Sequence, residues 1–155
     1  ISCSLVGSEM CIRDRYTPIT KLALNTAYKA HEGQLDRSGL PYIFHPYHVA
    51  EQMKDETTCA IALLHDVVED TDMTLEELEK LFPPAVTEGV RLMTHDDSTD
   101  YFDYVRRIKG TVAEPVKRAD IAHNSDLSRM DTVTEKDLLR IEKYKKALRI
   151  LDGEE

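Results

Sequence analysis

A histidine and three carboxylates lie at the end of a strongly apolar segment of this chain. The letters CAIALL are followed directly by His65 and Asp66, and one helical turn later by Glu69 and Asp70. Burying such groups costs free energy unless a partner compensates them, and a divalent metal ion is a natural partner. Neighbouring residues of a helix point about 100° apart, so His65 and Asp66 can hold one ion only if other elements complete its shell.

Two other residues are candidates for completing that shell. His45 precedes a proline at the start of an earlier predicted helix, and Asp120 lies within the apolar-flanked segment VKRADIA of a later one. Two imidazoles and two carboxylates suit manganese, iron, zinc or magnesium with open water positions. Such a site favours hydrolysis over a closed structural role, because an ion with open positions can activate water and polarise a phosphoryl oxygen.

The elements that position these residues are predicted to be helices. Capping residues and prolines mark their starts, and no segment alternates apolar and polar residues over the length of a strand. The segment CAIALLHDVVED is expected to form one central, buried helix. We therefore predict an all-α fold, a single compact bundle of about eight helices that start near Thr17, His45, Thr57, Thr74, Ala85, Ser98, Pro115 and Thr134.

Length and charge restrict the classes of partner. The 155 residues suit one domain that can bury a core without disulfides. The net charge of −9 argues against a protein that coats phosphate backbones, so we expect no nucleic-acid partner. A small anionic ligand stays compatible, because a bound cation can reverse the sign of the charge in a pocket. No stretch approaches the roughly 18 apolar residues of a membrane span, and Cys59 within an apolar run fits a reducing, cytoplasmic location.

The first residues of the chain differ from the rest. Residues 1–15, ISCSLVGSEMCIRDR, have no helical or strand period and no signal-peptide core. They resemble the translation of a sequencing-adapter fragment that occurs at the ends of proteins from short-read assemblies. We expect residues 1–15 to be a non-native or disordered leader and residues 16–155 to be the folded domain.

Three segments resemble the HD-domain metal-dependent phosphohydrolases: HPYHVA, ALLHDVVEDT and VKRADIAHN. Within that superfamily the match is to the hydrolase branch of the RelA/SpoT-type proteins, in its small stand-alone form, and it covers nearly all of residues 17–151. The resemblance implies hydrolysis of the 3′-pyrophosphate of guanosine tetra- or pentaphosphate to GDP or GTP and pyrophosphate. It also implies a divalent metal, usually manganese, held by His45, His65, Asp66 and Asp120.

The same resemblance implies roles for further residues. Glu69 and Asp70 match the catalytic pair that activates and delivers the attacking water, and Asn124 matches an Asn that contacts the nucleotide. Arg37 and Ser38, in the loop before the first metal histidine, are expected to contact a phosphate of the substrate.

The chain departs from the family pattern at positions that contact the guanine base of the substrate in the alarmone hydrolases. The alarmone hydrolases usually carry two basic residues before the Ser-Gly pair, the first of which stacks on guanine, and this chain has Asp36 followed by Arg37. The Arg that follows the last metal Asp is Ile121 here, and a family Thr is Leu127. Metal-dependent phosphohydrolysis is therefore supported by more residues than guanine specificity is.

Some residues keep two interpretations on sequence alone. His31 either ends the first helix, where it interacts with the helix dipole, or faces the metal pocket. Lys117, one turn before Asp120, either faces the substrate phosphates or lies at the surface. We expect the remaining candidates to lie at the surface or to point away from the site: His48, His95, His123 and residues 143–149.

Two other functions are compatible with these residues. The chain could act on another nucleotide or phosphoester, or it could be a non-catalytic module that binds a nucleotide and regulates a partner. A pure binding module needs no catalytic pair beside its ligand set, so Glu69 and Asp70 argue against the latter. In each case we expect a small phosphorylated nucleotide as the partner and no membrane contact, and the oligomeric state stays open.

Overall fold

The computed structural model describes residues 16–154. Expectations about residues 1–15 lie outside this range. Nine α-helices and one short 3₁₀ helix make up the described part, in this order: α1 (Pro18–Ala30), α2 (Phe44–Glu51), α3 (Glu56–Leu64), α4 (Val67–Asp70), α5 (Leu75–Glu79), α6 (Pro84–Met93), α7 (Tyr101–Ile108), α8 (Glu114–Asn124), the 3₁₀ helix (Leu127–Arg129) and α9 (Glu135–Asp152). An isolated bridge between Leu35 and Pro41 is the one extended pairing in these residues. The predicted all-α fold is confirmed.

Helix α3 forms the centre of the bundle. Residues 58–64 are all buried, so this helix has no solvent-facing side, as its apolar composition predicts. Helices α1, α2, α6 and α8 pack around it. Gly89 allows the close approach of α6, because a Cβ at that position would lie 2.2 Å from Cδ1 of Ile61. No helix in the described range is both long and apolar enough to cross a bilayer.

The predicted helix starts are reproduced within a few residues. Thr17, Thr74 and Thr134 each form a capping box, in which the N-cap and the third helical residue exchange hydrogen bonds. Helix α3 starts earlier than expected, because the carboxylate of Asp55 accepts hydrogen bonds from both the N–H and the hydroxyl of Thr58 at 2.8 Å. These contacts make Asp55 the N-cap, not the predicted residue.

The expectation of one unbroken central helix was wrong. Helix α3 ends at Leu64, His65 and Asp66 form a turn, and α4 follows as a separate helix of four residues. The Nδ1–H of His65 donates to the carbonyl of Ala62 at 2.7 Å. In an uninterrupted helix that carbonyl would accept from the N–H of Asp66, so the imidazole competes with the helical hydrogen bonds at this point. The break accounts for the ninth helix.

Candidate metal centre and adjoining cavity

Four predicted ligands come together from three parts of the bundle: His45 on α2, His65 and Asp66 in the turn after α3, and Asp120 on α8. Nε2 of His65 lies 3.1 Å from Oδ2 of Asp66, and Nε2 of His45 lies 3.2 Å from Oδ1 of Asp120. The two cross distances, His45 to Asp66 and His65 to Asp120, are 3.6 and 3.8 Å. His65 and Asp66 keep right-handed helical backbone angles in the turn after α3, and His45 and Asp120 approach them from α2 and α8.

These donor atoms fit a divalent ion. Ligands about 2.0–2.2 Å from a common ion and at right angles to one another are roughly 3 Å apart, close to the observed spacing. Nε2 of His65 is buried and makes no hydrogen bond, while its Nδ1 carries the proton that the Ala62 carbonyl accepts. The lone pair of Nε2 is therefore directed at the cluster. One donor atom each from His45, His65 and Asp120 lie within 4.8 Å of one another.

The electrostatic field of the cluster favours a cation. Burial lowers the pKa of His65, but the carboxylates of Asp66 and Asp120 outweigh burial and raise that pKa to about 9. A field that stabilises a proton on the imidazole also attracts a metal ion, which competes for the same lone pair. The group is thus a divalent-metal site in its donor types, spacing and charge.

Two residues of α8 hold Asp120 in place. Nζ of Lys117 donates to Oδ2 of Asp120 at 2.9 Å, and Nδ2 of Asn124 donates to Oδ1 at 2.6 Å. Lys117 is buried, with its ammonium group over the rings of Tyr101 and Tyr104, so the surface interpretation of this lysine was wrong. Burial raises the pKa of Asp120, but Lys117 and the neighbouring histidines outweigh burial and hold the pKa well below its usual value.

The two remaining carboxylates of the motif line the same cavity of about 290 Å³. Oε2 of Glu69 accepts a hydrogen bond from the backbone N–H of His95 at 2.9 Å, and Asp70 accepts one from the hydroxyl of Tyr42 at 3.3 Å. Burial raises the pKa of both Glu69 and Asp70. A carboxylate with a raised pKa is a better proton acceptor near neutral pH.

Tyr42 and His31 lie together beside the cluster. The hydroxyl of Tyr42 donates to Oδ2 of Asp66 at 2.5 Å, and its ring lies 4.7 Å from that of His31. His31 is buried at the C-cap of α1, and its Nδ1 is 2.8 Å from Oε1 of Gln34. His31 ends the helix, as one interpretation expected, and its ring packs against Tyr42. It is not among the residues that line the metal cavity, so a contact with substrate stays a prediction. Tyr42 was not among the predicted site residues.

Two residues expected at the surface line the metal cavity. Lys143 is exposed, as predicted, and borders the cavity, whereas His95 is half-buried and its predicted surface position was wrong. His95 contributes its backbone N–H to Glu69, and its ring lies 4.9 Å from that of Tyr104. Lys143 places its ammonium group 3.8 Å from the ring centre of Tyr101.

A second cavity, of about 240 Å³, adjoins the metal cavity and shares Tyr42, Asn124 and Tyr144 with it. We call it the arginine pocket, because its lining includes Arg37, Arg129 and Arg140. The predicted contacts Arg37 and Ser38 lie here and not in the metal cavity.

Carboxylates hold the arginines of this pocket. The buried Asp137 pairs with Arg37 at 3.3 Å and with Arg140 at 2.9 Å, and Asp36 pairs with Arg129 at 2.7 Å. Nε of Arg140 is buried without a hydrogen-bond partner. Arg140, which lines the pocket, therefore has one donor that no described residue satisfies.

Asp36, at the position where the resemblance places a guanine-stacking residue, is turned into its own loop. Its Oδ1 accepts hydrogen bonds from the N–H and the hydroxyl of Ser38, at 2.8 and 2.7 Å, and from the N–H of Leu40 at 3.0 Å. Gly39 completes this turn with a φ of +81°, a backbone conformation that favours glycine. Asp36 therefore organises the loop and does not present a flat cationic group to a base.

Comparisons with known proteins agree with this geometry. A family model described as "HD domain" matches residues 23–129. The chain is 35% identical to a GTP pyrophosphokinase rsh of Brucella melitensis over 131 residues, covering 71% of this chain and 18% of that protein. It is 44% identical over 81 residues to the bifunctional (p)ppGpp synthase/hydrolase SpoT of Escherichia coli, covering 50% of this chain and 12% of that protein. The chain thus spans less than a fifth of the length of these curated relatives.

A solved structure matches over most of both chains. The structure, titled "A metazoan ortholog of SpoT hydrolyzes ppGpp and plays a role in starvation responses", has a TM-score of 0.75 and 29% sequence identity, and the match covers 88% of this chain and 87% of that one. The fold and the His-His-Asp group define a divalent-metal-binding helical domain. The family model that matches residues 23–129 identifies the family of this domain. The chain belongs to the HD domain family.

Proposed function

We propose that the chain is a metal-dependent phosphohydrolase that removes the 3′-pyrophosphate of guanosine tetra- or pentaphosphate, releasing pyrophosphate and GDP or GTP. The observation that carries this proposal is one cavity in which His65, Asp66 and Asp120 lie beside the carboxylates of Glu69 and Asp70. Nε2 of His45 reaches the same cluster, 3.2 Å from Asp120 and 3.6 Å from Asp66. The relatives include a (p)ppGpp synthase/hydrolase and a metazoan SpoT ortholog that hydrolyses ppGpp, which supports the choice of substrate.

The ion that these ligands would hold, which we propose to be Mn²⁺, supplies Lewis-acid polarisation of a phosphoryl oxygen and a lowered pKa of a coordinated water. The side chain of Glu69 accepts a proton from the attacking water at Oε1, because its other oxygen is fixed by the N–H of His95. Asp70, hydrogen-bonded to Tyr42, holds the water in line for attack.

The cationic groups of the two cavities bind the anionic substrate. Lys143 lines the metal cavity, and we propose that its ammonium group binds a phosphate there. Lys117 is paired with Asp120, and we propose that it lies next to the reacting phosphoryl group without binding it directly. We assign the nucleoside to the arginine pocket, with Arg37, Ser38 and Asn124 as contacts. The cytoplasmic location and the absence of nucleic-acid and membrane partners remain predictions.

A second candidate function has its own supporting observation. Asp36 occupies the guanine-stacking position and is held by Ser38, Leu40 and Arg129. A pocket without a stacking cation there discriminates less against other bases, which favours an HD phosphohydrolase for another nucleotide or phosphoester.

A substrate panel tests both candidates. We expect purified protein loaded with manganese to release pyrophosphate from guanosine tetraphosphate, as detected by chromatography of the products. The adenosine counterpart, other nucleotides and generic phosphoesters are measured in parallel. Turnover of another compound that exceeds that of the guanosine compound would favour the second function. Nucleotide binding without product, with metal present, would contradict both and revive the non-catalytic module.

A further inference from the structure

The two histidines of the metal site differ in what holds their second ring nitrogen. A histidine that coordinates through Nε2 carries its proton on Nδ1, and that N–H needs an acceptor when it is buried. For His65 the acceptor is the backbone carbonyl of Ala62. For His45, which is also buried, the group at Nδ1 is the side chain of His123, a residue that the proposed function does not use.

The contact between His45 and His123 has the geometry of a hydrogen bond. The two Nδ1 atoms are 2.6 Å apart, whereas the ring centres are 4.9 Å apart and the ring planes differ by 19°. Because the nitrogens are much closer than the ring centres, the rings meet through their edges and lie nearly in one plane. An N–H of one ring then points along the lone pair of the other.

The direction of this hydrogen bond follows from the next residue in the chain of contacts. Nη1 of Arg129 lies 3.2 Å from Nδ1 of His123 and donates to the carbonyl of the same residue at 3.2 Å. A guanidinium group has donors and no acceptor, so this neighbour favours a lone pair, not a proton, on Nδ1 of His123. When His45 coordinates through Nε2, its Nδ1–H donates to that single lone pair, and Arg129 donates to the carbonyl. Asp36 in turn holds Arg129 through an ion pair of 2.7 Å.

We infer, on the basis of the proposed role of His45 as a ligand, that His123 is a positioning residue for the metal site. It accepts the Nδ1–H of His45 and so keeps Nε2 unprotonated and directed at the ion. Arg129 and Asp36 fix the tautomer of His123 from behind. Asp36 replaces a base-stacking residue of the family pattern. In this chain it is the counter-ion of Arg129, the last contact in the sequence His45, His123, Arg129 and Asp36.

The decisive measurement is manganese affinity, determined by competition with a chromophoric chelator. His123→Leu keeps the bulk of the ring without an acceptor, and we expect it to weaken manganese binding about 10–100-fold. His123→Asn places an amide oxygen on the same Cγ position as Nδ1, and we expect affinity within about threefold of the parent. His123→Gln, with its oxygen one bond further out, should resemble the Leu variant and replaces it if that variant does not fold.

Controls separate this inference from the proposed function. His48 stacks on a face of the His123 ring, with ring centres 4.2 Å apart, and is exposed, so His48→Ala should bind manganese like the parent. His65→Ala should lose manganese binding if the proposed site is right. Parent-like affinity of His123→Leu together with loss in His65→Ala would overturn the positioning role and leave the metal site intact. Parent-like affinity of His65→Ala would overturn both.

A second readout distinguishes positioning from general damage. If His123 acts through His45 and the metal, the hydrolysis rate of His123→Leu should rise toward the parental rate as manganese is increased. A rate deficit that stays constant at saturating manganese would contradict the proposed role. Thermal unfolding of each variant in metal-free buffer serves to verify the fold.

Discussion

The metal cavity and the arginine pocket are neighbours with opposite electrostatic arrangements. In the metal cavity four carboxylates face two histidines and two lysines, Lys117 paired with Asp120 and Lys143 exposed, so negative charge is in excess. In the arginine pocket each arginine already has a carboxylate partner, Asp137 or Asp36. The first cavity therefore requires an added cation, whereas the second offers directional donors with little net charge. The difference indicates that the residues restrict the metal-dependent reaction more tightly than they restrict which nucleoside binds.

The largest expected effect is on the metal cavity. Asp66→Ala removes a candidate ligand and the acceptor of the Tyr42 hydroxyl, and we expect hydrolysis to fall about a thousandfold or more, with loss of stoichiometric manganese binding. Elemental analysis and a pyrophosphate-release assay measure the two effects. The exposed Asp72 provides a matched control in Asp72→Ala. Full manganese content in Asp66→Ala would contradict the assignment of this ligand.

The next effect separates chemistry from metal binding within the same cavity. Glu69→Gln should lower kcat by roughly 10²–10⁴-fold and leave manganese affinity unchanged, because it removes a proton acceptor and not a ligand. Burial raises the pKa of Glu69, and only the deprotonated form accepts a proton. The parental rate should therefore decline on acidification at a pH above the ordinary glutamate value, and this decline should vanish from the residual rate of the variant. An unchanged pH profile would argue against Glu69 as the base.

A smaller effect is expected in the arginine pocket. Arg140→Ala removes a donor whose Nε is buried and unpaired, and we expect KM to rise about tenfold with kcat nearly constant, since the lost contact binds ground state and transition state alike. Arg149→Ala, on an exposed position of the same helix, is the control. A fall in kcat without a change in KM would mean that the two cavities do not divide binding from chemistry.

The smallest effect concerns Asp36, which joins the two regions. Asp36→Asn should lower the free energy of unfolding by about 1–3 kcal/mol at pH 7, because charge-assisted hydrogen bonds become neutral ones. Burial opposes the shift, but Ser38, Leu40 and Arg129 lower the pKa of Asp36 in the folded state. The stabilisation is therefore present above the unfolded-state value near 4 and is lost as the pH falls through the folded-state value. Denaturant unfolding of parent and variant between pH 7 and pH 3.5 should show the difference shrinking.

The sequence predicted most of what depends on local pattern. Capping residues gave the helix starts, and the letters HD within an apolar helix, with His45 and Asp120, predicted the metal cluster. The sequence did not reveal residues whose task depends on contacts across the bundle. His95 acts through its backbone N–H, which carries no sequence signal. The prediction that His123 points away from the site was wrong, because its Nδ1 lies 2.6 Å from Nδ1 of His45 on another helix.

The break after α3 was also beyond local pattern. Apolar periodicity continues through Val67, so a single helix was the natural expectation. A side-chain hydrogen bond from His65 to Ala62 accompanies the turn, and no propensity scale includes such a bond.

Asp137 links the stability of one helix end to the order of a binding site. Its carboxylate accepts from the N–H and the hydroxyl of Thr134 at the start of α9, and it also holds Arg37 and Arg140. Helix ends open locally at a lower free energy than the whole fold. When this first turn opens, the ion pairs that hold Arg37 and Arg140 in the lining of the arginine pocket are lost. A ligand bound in the arginine pocket should in turn slow hydrogen exchange of the backbone amides at the start of α9. Exchange at these amides therefore measures ligand binding.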